Sequence, residues 1–152
     1  MNFTKDIVIN DVTIRLHRLS AKQQHDIVNR FFFPITTQAT DLLDVMQKQP
    51  VNKIAIAAVI MEAVNKYLPA EKRDELIFKH LMPSVKIVAA GIEVDYCSPN
   101  GEIMSDAVNN LKALYKITFE VLKFNFDDFF TDWLSGNQLS QAVRSGQAPY
   151  NS

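Results

Sequence analysis

Helical periodicity runs unbroken from Asp106 to Lys123 and leads directly into Phe124-Asn125-Phe126-Asp127-Asp128-Phe129-Phe130-Thr131-Asp132-Trp133-Leu134. Val108, Leu111, Leu114, Tyr115, Thr118, Phe119, Val121 and Leu122 make up one side of the pattern. Asp106, Asn109, Asn110, Ala113, Lys116, Glu120 and Lys123 make up the other. An apolar stripe of that width requires a covering layer, so whatever else this chain contains must supply one. Just beyond it, four phenylalanines and the only tryptophan fall within residues 124–133. Asn125 or Phe126 is expected to break the helix. Asp127 and Asp128 would then open a short final helix at its positive end, and Gly136-Asn137 would stop it.

The preceding segments read as candidates for the cover. Ile7, Ile9, Val12, Ile14 and Leu16 alternate on either side of Asn10-Asp11, the pattern of a short β-hairpin. Ser20-Ala21-Lys22-Gln23 matches a capping box, which predicts a helix from Ala21 to about Phe32, closed by Pro34 and ending in the bulky Phe31-Phe32-Phe33. Residues 34–40 read as a loop, and residues 41–49 as a short helix stopped by Pro50. The segment from Val51 to Leu68 is apolar nearly all round, which predicts a helix buried at the centre from Ile54 to Val64. Pro69 suits the first turn of another helix, with Leu76, Ile77, Leu81 and Met82 facing inward. After Pro83, alternating residues from Val85 to Tyr96 around Gly91 read as one bent strand or a second hairpin able to pair with the first. Ser98-Pro99-Asn100-Gly101 is a turn. Residues 138–152 hold too few apolar side chains to fold alone. The expected architecture is α+β and predominantly helical, with five or six helices around a buried central helix and a small antiparallel sheet. Residues 1–136 would form a single globular domain and residues 137–152 a flexible C-terminal tail.

Composition narrows the function classes. A chain of 152 residues, 47% of them hydrophobic, is large enough to build a core without disulfides or metals. A net charge of −1 creates no field for a phosphate backbone, so no nucleic acid is expected as a partner. The longest apolar run, Ile54 to Met61, is less than half of a membrane span, and the lone Cys97 fits a reducing compartment, so a soluble intracellular protein is expected. His17, His25 and His80 fall in separate elements with no metal-ligand spacing, and acids at 127, 128 and 132 are accounted for by a helix start. No phosphate loop or nucleophile motif occurs, so no catalytic, cofactor-binding or metal-binding residue is assigned. What remains is the aromatic concentration, which suits core packing and partner binding about equally. As a partner surface it comprises Leu122, Phe126, Phe129, Phe130 and Trp133, with Phe31, Phe32 and Phe33 as a second patch.

Between Leu81 and Trp133 the order is an apolar helix end, Pro83, a Val-x-Ile strand, a turn, and a long helix ending Leu122-Lys123-Phe124-Asn125-Phe126-Asp127-Asp128-Phe129-Phe130. This order resembles the tail assembly chaperones of tailed bacteriophages, and the Leu19-Ser20-Ala21 helix start is also similar to theirs. The resemblance implies a non-enzymatic protein of the host cytoplasm, absent from the mature virion. Such a protein binds and solubilises the tape measure protein and helps recruit tail tube subunits. It also implies that the chain could be the short form, or the shared N-terminal part, of a frameshifted pair, and it leaves a homo-oligomer open. It assigns no catalytic residues. The rival readings are a minor tail or head-completion component and, more distantly, a small enzyme whose polar pocket would gather titratable groups.

Overall fold

The computed structural model describes residues 2–35 and 53–144, the side chains of 53–56 and 130–144 excepted. Strand β1 (Thr4–Ile9) turns through Asn10 and Asp11, at φ 51° and 65°, into β2 (Val12–His17). Positive φ at both central residues is what a two-residue hairpin turn needs, and Asn and Asp tolerate it better than most residues. β3 (Val85–Ala89) and β4 (Ile92–Asp95) form the second of the two shapes left open for this segment, a hairpin, turning through Ala90 and Gly91 at φ 53° and 76°. β2 pairs antiparallel with β3, giving one four-stranded sheet in the order β1-β2-β3-β4.

Alternation sets the two faces of this sheet. Ile7, Ile14, Ile87 and Val94 share one row, and Leu16 lies opposite Val85; Ile14, Leu16, Val85 and Ile87 are buried. The next row, Asp6, Arg15, Lys86 and Asp95, faces outward. There Arg15 donates to both Asp6 carboxylate oxygens at 2.8 and 3.0 Å and to Glu93 at 3.2 Å, and Lys86 pairs with Asp95. The hydrogen bond from Arg15 holds the Asp6 carboxyl below its usual range, and the His17 and Arg15 contacts do the same for Glu93.

Helix α1 (Ala21–Ile27) starts at the expected capping box, with the Gln23 amide donating to Ser20 Oγ at 3.2 Å and the Ser20 amide to Gln23 Oε1 at 2.8 Å. Its continuation widens into π geometry over Val28–Phe32 and then tightens into a 3₁₀ turn, Phe33–Ile35, that contains Pro34. Consecutive Phe31 and Phe32 are both buried in this widened stretch. Helix α2 spans Lys53–Tyr67. Helix α3 (Ala70–Asp74) follows Pro69 and continues as a π segment, Glu75–Leu81, and a 3₁₀ turn, Met82–Ser84. Leu76, Ile77, Leu81 and Met82 are all buried, as their spacing predicts. A 3₁₀ turn, Asp106–Val108, precedes α4 (Leu111–Arg144).

Three expectations are revised. The described residues hold four α-helices of the five or six expected, and the segment read as a short helix at 41–49 lies outside them. Helix α2 is not buried all round. Ala57, Ile60, Ala63, Val64 and, just beyond it, Leu68 are buried, whereas Ala58, Glu62, Asn65 and Lys66 face solvent; α4 packs against it. The long helix begins at Leu111, where Asn110 Oδ1 accepts the Ala113 amide at 2.9 Å, and it runs through Asn125, Phe126 and Gly136-Asn137 without a break. Its buried face is also rotated from the expected one. Ala113 and Ile117 are 2% and 0% exposed, while Leu111 and Tyr115 are 62% and 43% exposed. Small Ala113 lets the neighbouring layer approach closely, which a bulky side chain there would prevent.

Beside the sheet, Tyr96 is fully buried and donates from its hydroxyl to the Val108 carbonyl at 3.2 Å, and burial pushes its pKa up to about 12. The Asn10 side chain, from the first hairpin turn, donates to the Ala107 carbonyl at 2.9 Å. These two bonds fix the entry to α4. The rotated register predicts that Ile117→Ala costs about 2–5 kcal/mol, whereas Leu111→Ala stays within about 0.5 kcal/mol, both read by urea denaturation. Ala90 sits in the left-handed region without needing to be alanine, so Ala90→Asn should raise the melting temperature by about 2–4 °C.

Candidate functional site

The helix start Leu19-Ser20-Ala21 and the Asn-Phe pair of α4 meet in space. Asn125 is buried at 7% exposure, and its Oδ1 accepts the Leu19 backbone N–H at 2.8 Å and the Gln24 side-chain amide at 3.4 Å. Its own amide donates back to the Val121 carbonyl at 2.9 Å. Gln24 also donates to the Leu19 carbonyl at 3.2 Å. A polar side chain in a helix interior is tolerated when its hydrogen bonds are filled, and the Leu19 N–H, which precedes the helix and has no ladder partner, supplies the filling. One residue earlier, Arg18 donates from Nη1 to the Phe124 carbonyl at 3.0 Å and from Nε to the Asn2 carbonyl at 2.9 Å. Its guanidinium stacks 4.2 Å over the Phe124 ring. Lys5 on β1 reaches Glu120 on α4 at 3.1 Å. The β2–α1 corner and the middle of α4 are therefore locked together.

This lock brings the two aromatic patches into one seam. Phe32 meets Phe126 edge to face, with ring centroids 5.3 Å apart and an interplanar angle of 88°. Phe33 meets Phe129 at 6.5 Å, and Phe31 meets the His80 ring at 5.2 Å. Phe31, Phe32, Leu122 and Phe126 lie in the interior, at no more than 3% exposure. Phe129 is half-buried and Phe33 is 47% exposed, so the seam crops out along a rim formed by these two rings. Phe130 and Trp133 follow on the same helix, and their side chains lie outside the described residues.

Groups that could carry chemistry are engaged elsewhere. A shallow hollow of about 230 Å³ is lined by His17, His80 and Ser84 among others, but His17 Nε2 lies 2.9 Å from Glu93 and His80 Nε2 lies 3.9 Å from Glu75. Ser84 Oγ donates to the Leu81 carbonyl at 2.7 Å and is not paired with a base. Burial pushes the Cys97 thiol up, away from thiolate. Among the described residues no group of three or more His, Cys, Asp or Glu is placed to hold a metal ion, and no helix is long and apolar enough to cross a membrane.

Sequence reasoning passed over Asn125 as a helix breaker. The available signal was an Asn flanked by aromatics within an otherwise continuous helical period, the setting of a satisfied interior amide. Asn125→Leu should strand the Leu19 N–H at a cost of about 1–3 kcal/mol, with faster hydrogen exchange at the Leu19 amide than in a Phe124→Leu control that keeps the amide pair.

Neither the curated proteins nor the solved structures give a significant match to this chain. A family model described as phage tail assembly chaperone protein, TAC, matches residues 10–138, from the first hairpin turn into the C-terminal part of α4, and so takes in both halves of the Leu19–Asn125 lock. With most of its length matched to that model, the chain belongs to the phage tail assembly chaperone family.

Proposed function

We propose that this chaperone binds and solubilises the tape measure protein and helps recruit tail tube subunits, using the aromatic seam as its contact surface. The observation that carries this reading is the rim of Phe33 and Phe129, aromatic rings held in place over a rigid buried layer of Phe32, Phe126, Phe31 and Leu122. Phe130 and Trp133 complete the proposed partner-binding set. An apolar helix laid along such a rim would be shielded from water in the helix-in-groove manner, and a contact of limited area allows release once the tail is built. In this reading the protein works in the host cytoplasm and leaves before the virion is complete. Nothing in the reading requires catalysis.

The test is co-expression of the tagged chain with the tape measure and tail tube proteins of its parent phage, followed by affinity capture. The wild type should hold the tape measure protein in the soluble fraction. Phe33→Ala with Phe129→Ala, and separately Phe129→Ala with Trp133→Ala, should reduce capture at least about tenfold, equivalent to ~1.4 kcal/mol, with unchanged circular dichroism. Failure of the wild type to capture the tape measure protein would overturn the reading. Detection of the chain in purified particles would favour the minor-tail alternative.

A further inference from the structure

Residues four, seven and eleven apart share one side of a helix, which places Leu111, Tyr115, Leu122 and Phe126 on a single stripe of α4. The chain closes the C-terminal half of this stripe itself. Phe32 packs edge-on against Phe126, and Leu122 and Phe126 are each 1% exposed. The N-terminal half is open, with Leu111 at 62% and Tyr115 at 43% exposure. Lys112, three residues before Tyr115, borders the open half, with Lys116 one turn beyond it on the same flank; both are exposed. The next acid along the helix, Glu120, is engaged by Lys5.

We infer that the open half of the stripe docks an amphipathic helix from a protein partner, apolar along one side and acidic along its border. Two observations select this occupant. In the other half of the same stripe, Phe126 is met by Phe32 of a helical segment, so a helix fits the geometry. The bordering lysines call for carboxylates on whatever lies against them. A second copy of this chain, docked through the same face, would bring Lys112 and Lys116 toward their own equivalents and meet like-charge repulsion. The inference rests on exposure and charge along α4, and stands or falls separately from the tape measure assignment.

Two fluorescently labelled synthetic helices provide the probe. Both carry leucine along one side; one is bordered by glutamate and its twin by lysine. Titrated into the full chain at low salt, the glutamate helix should bind at least about tenfold more tightly than its twin, and the difference should shrink as salt is raised. Lys112→Glu with Lys116→Glu should invert the preference. Tyr115→Ser should weaken both helices, with the melting temperature of each variant held near that of the wild type. Equal binding of the two helices, no binding of either, or indifference to these substitutions would overturn the inference. So would a concentration-dependent dimer that Tyr115→Ser abolishes, which would assign the face to a second copy.

Discussion

The Asn125 amide holds two elements that are 106 residues apart in the chain, and the rest of the architecture follows from that contact. Its oxygen fills the Leu19 N–H at the corner between β2 and α1, and its nitrogen returns to the Val121 carbonyl within α4. A buried amide left unfilled on either side would cost about as much as a core methylene cavity, so the corner has one energetically acceptable position on the helix. With that position set, Phe32 falls against Phe126, and Lys5 of the sheet reaches Glu120 on the helix. Arg18 reinforces the same corner by bonding the Phe124 carbonyl and stacking on its ring.

Beyond the lock, α4 is covered unevenly along its length. Leu122 and Phe126 are buried, with Phe32 of the α1 continuation against Phe126, whereas toward Leu111 and Tyr115 the same side is exposed. On its opposite side the small Ala113, with Ile117 and Val121, is drawn into the interior. A single helix thus contributes to the core along one part of its surface and is exposed along another, without any change of secondary structure.

Much of this was legible in the amino-acid order where the signal is local. The first hairpin announces itself through alternation and Asn10-Asp11, the alternation around Gly91 leaves a bent strand or a second hairpin open, and the Ser20–Gln23 capping box marks the start of α1 to the residue. The Leu76, Ile77, Leu81 and Met82 positions were readable for the same reason. The register of α4 was not, because a stripe running from Leu111 through Leu122 spans so much of the circumference that only the neighbouring layers decide which part is covered. The widening of Val28–Phe32 and Glu75–Leu81 into π geometry leaves the apolar spacing nearly unchanged and so escapes a periodicity argument. For the site, the aromatic residues themselves were evident, whereas their union into one seam depends on a hydrogen bond between distant residues that no window of sequence contains.

In the proposed reading, that union bears on how a partner can be held. Opening the seam would expose Phe31, Phe32, Leu122 and Phe126, each worth roughly 1.5–3 kcal/mol of burial, or roughly 6–12 kcal/mol together. This is about the whole folding stability of an ordinary domain, commonly 5–15 kcal/mol, so a partner that required opening would have to replace the fold's own core. Engagement at the rim carries no such cost, because Phe33 and Phe129 already reach solvent while their inner neighbours stay packed. In the proposed reading, a chaperone that releases its partner is better served by the rim, where contact does not require the core to open.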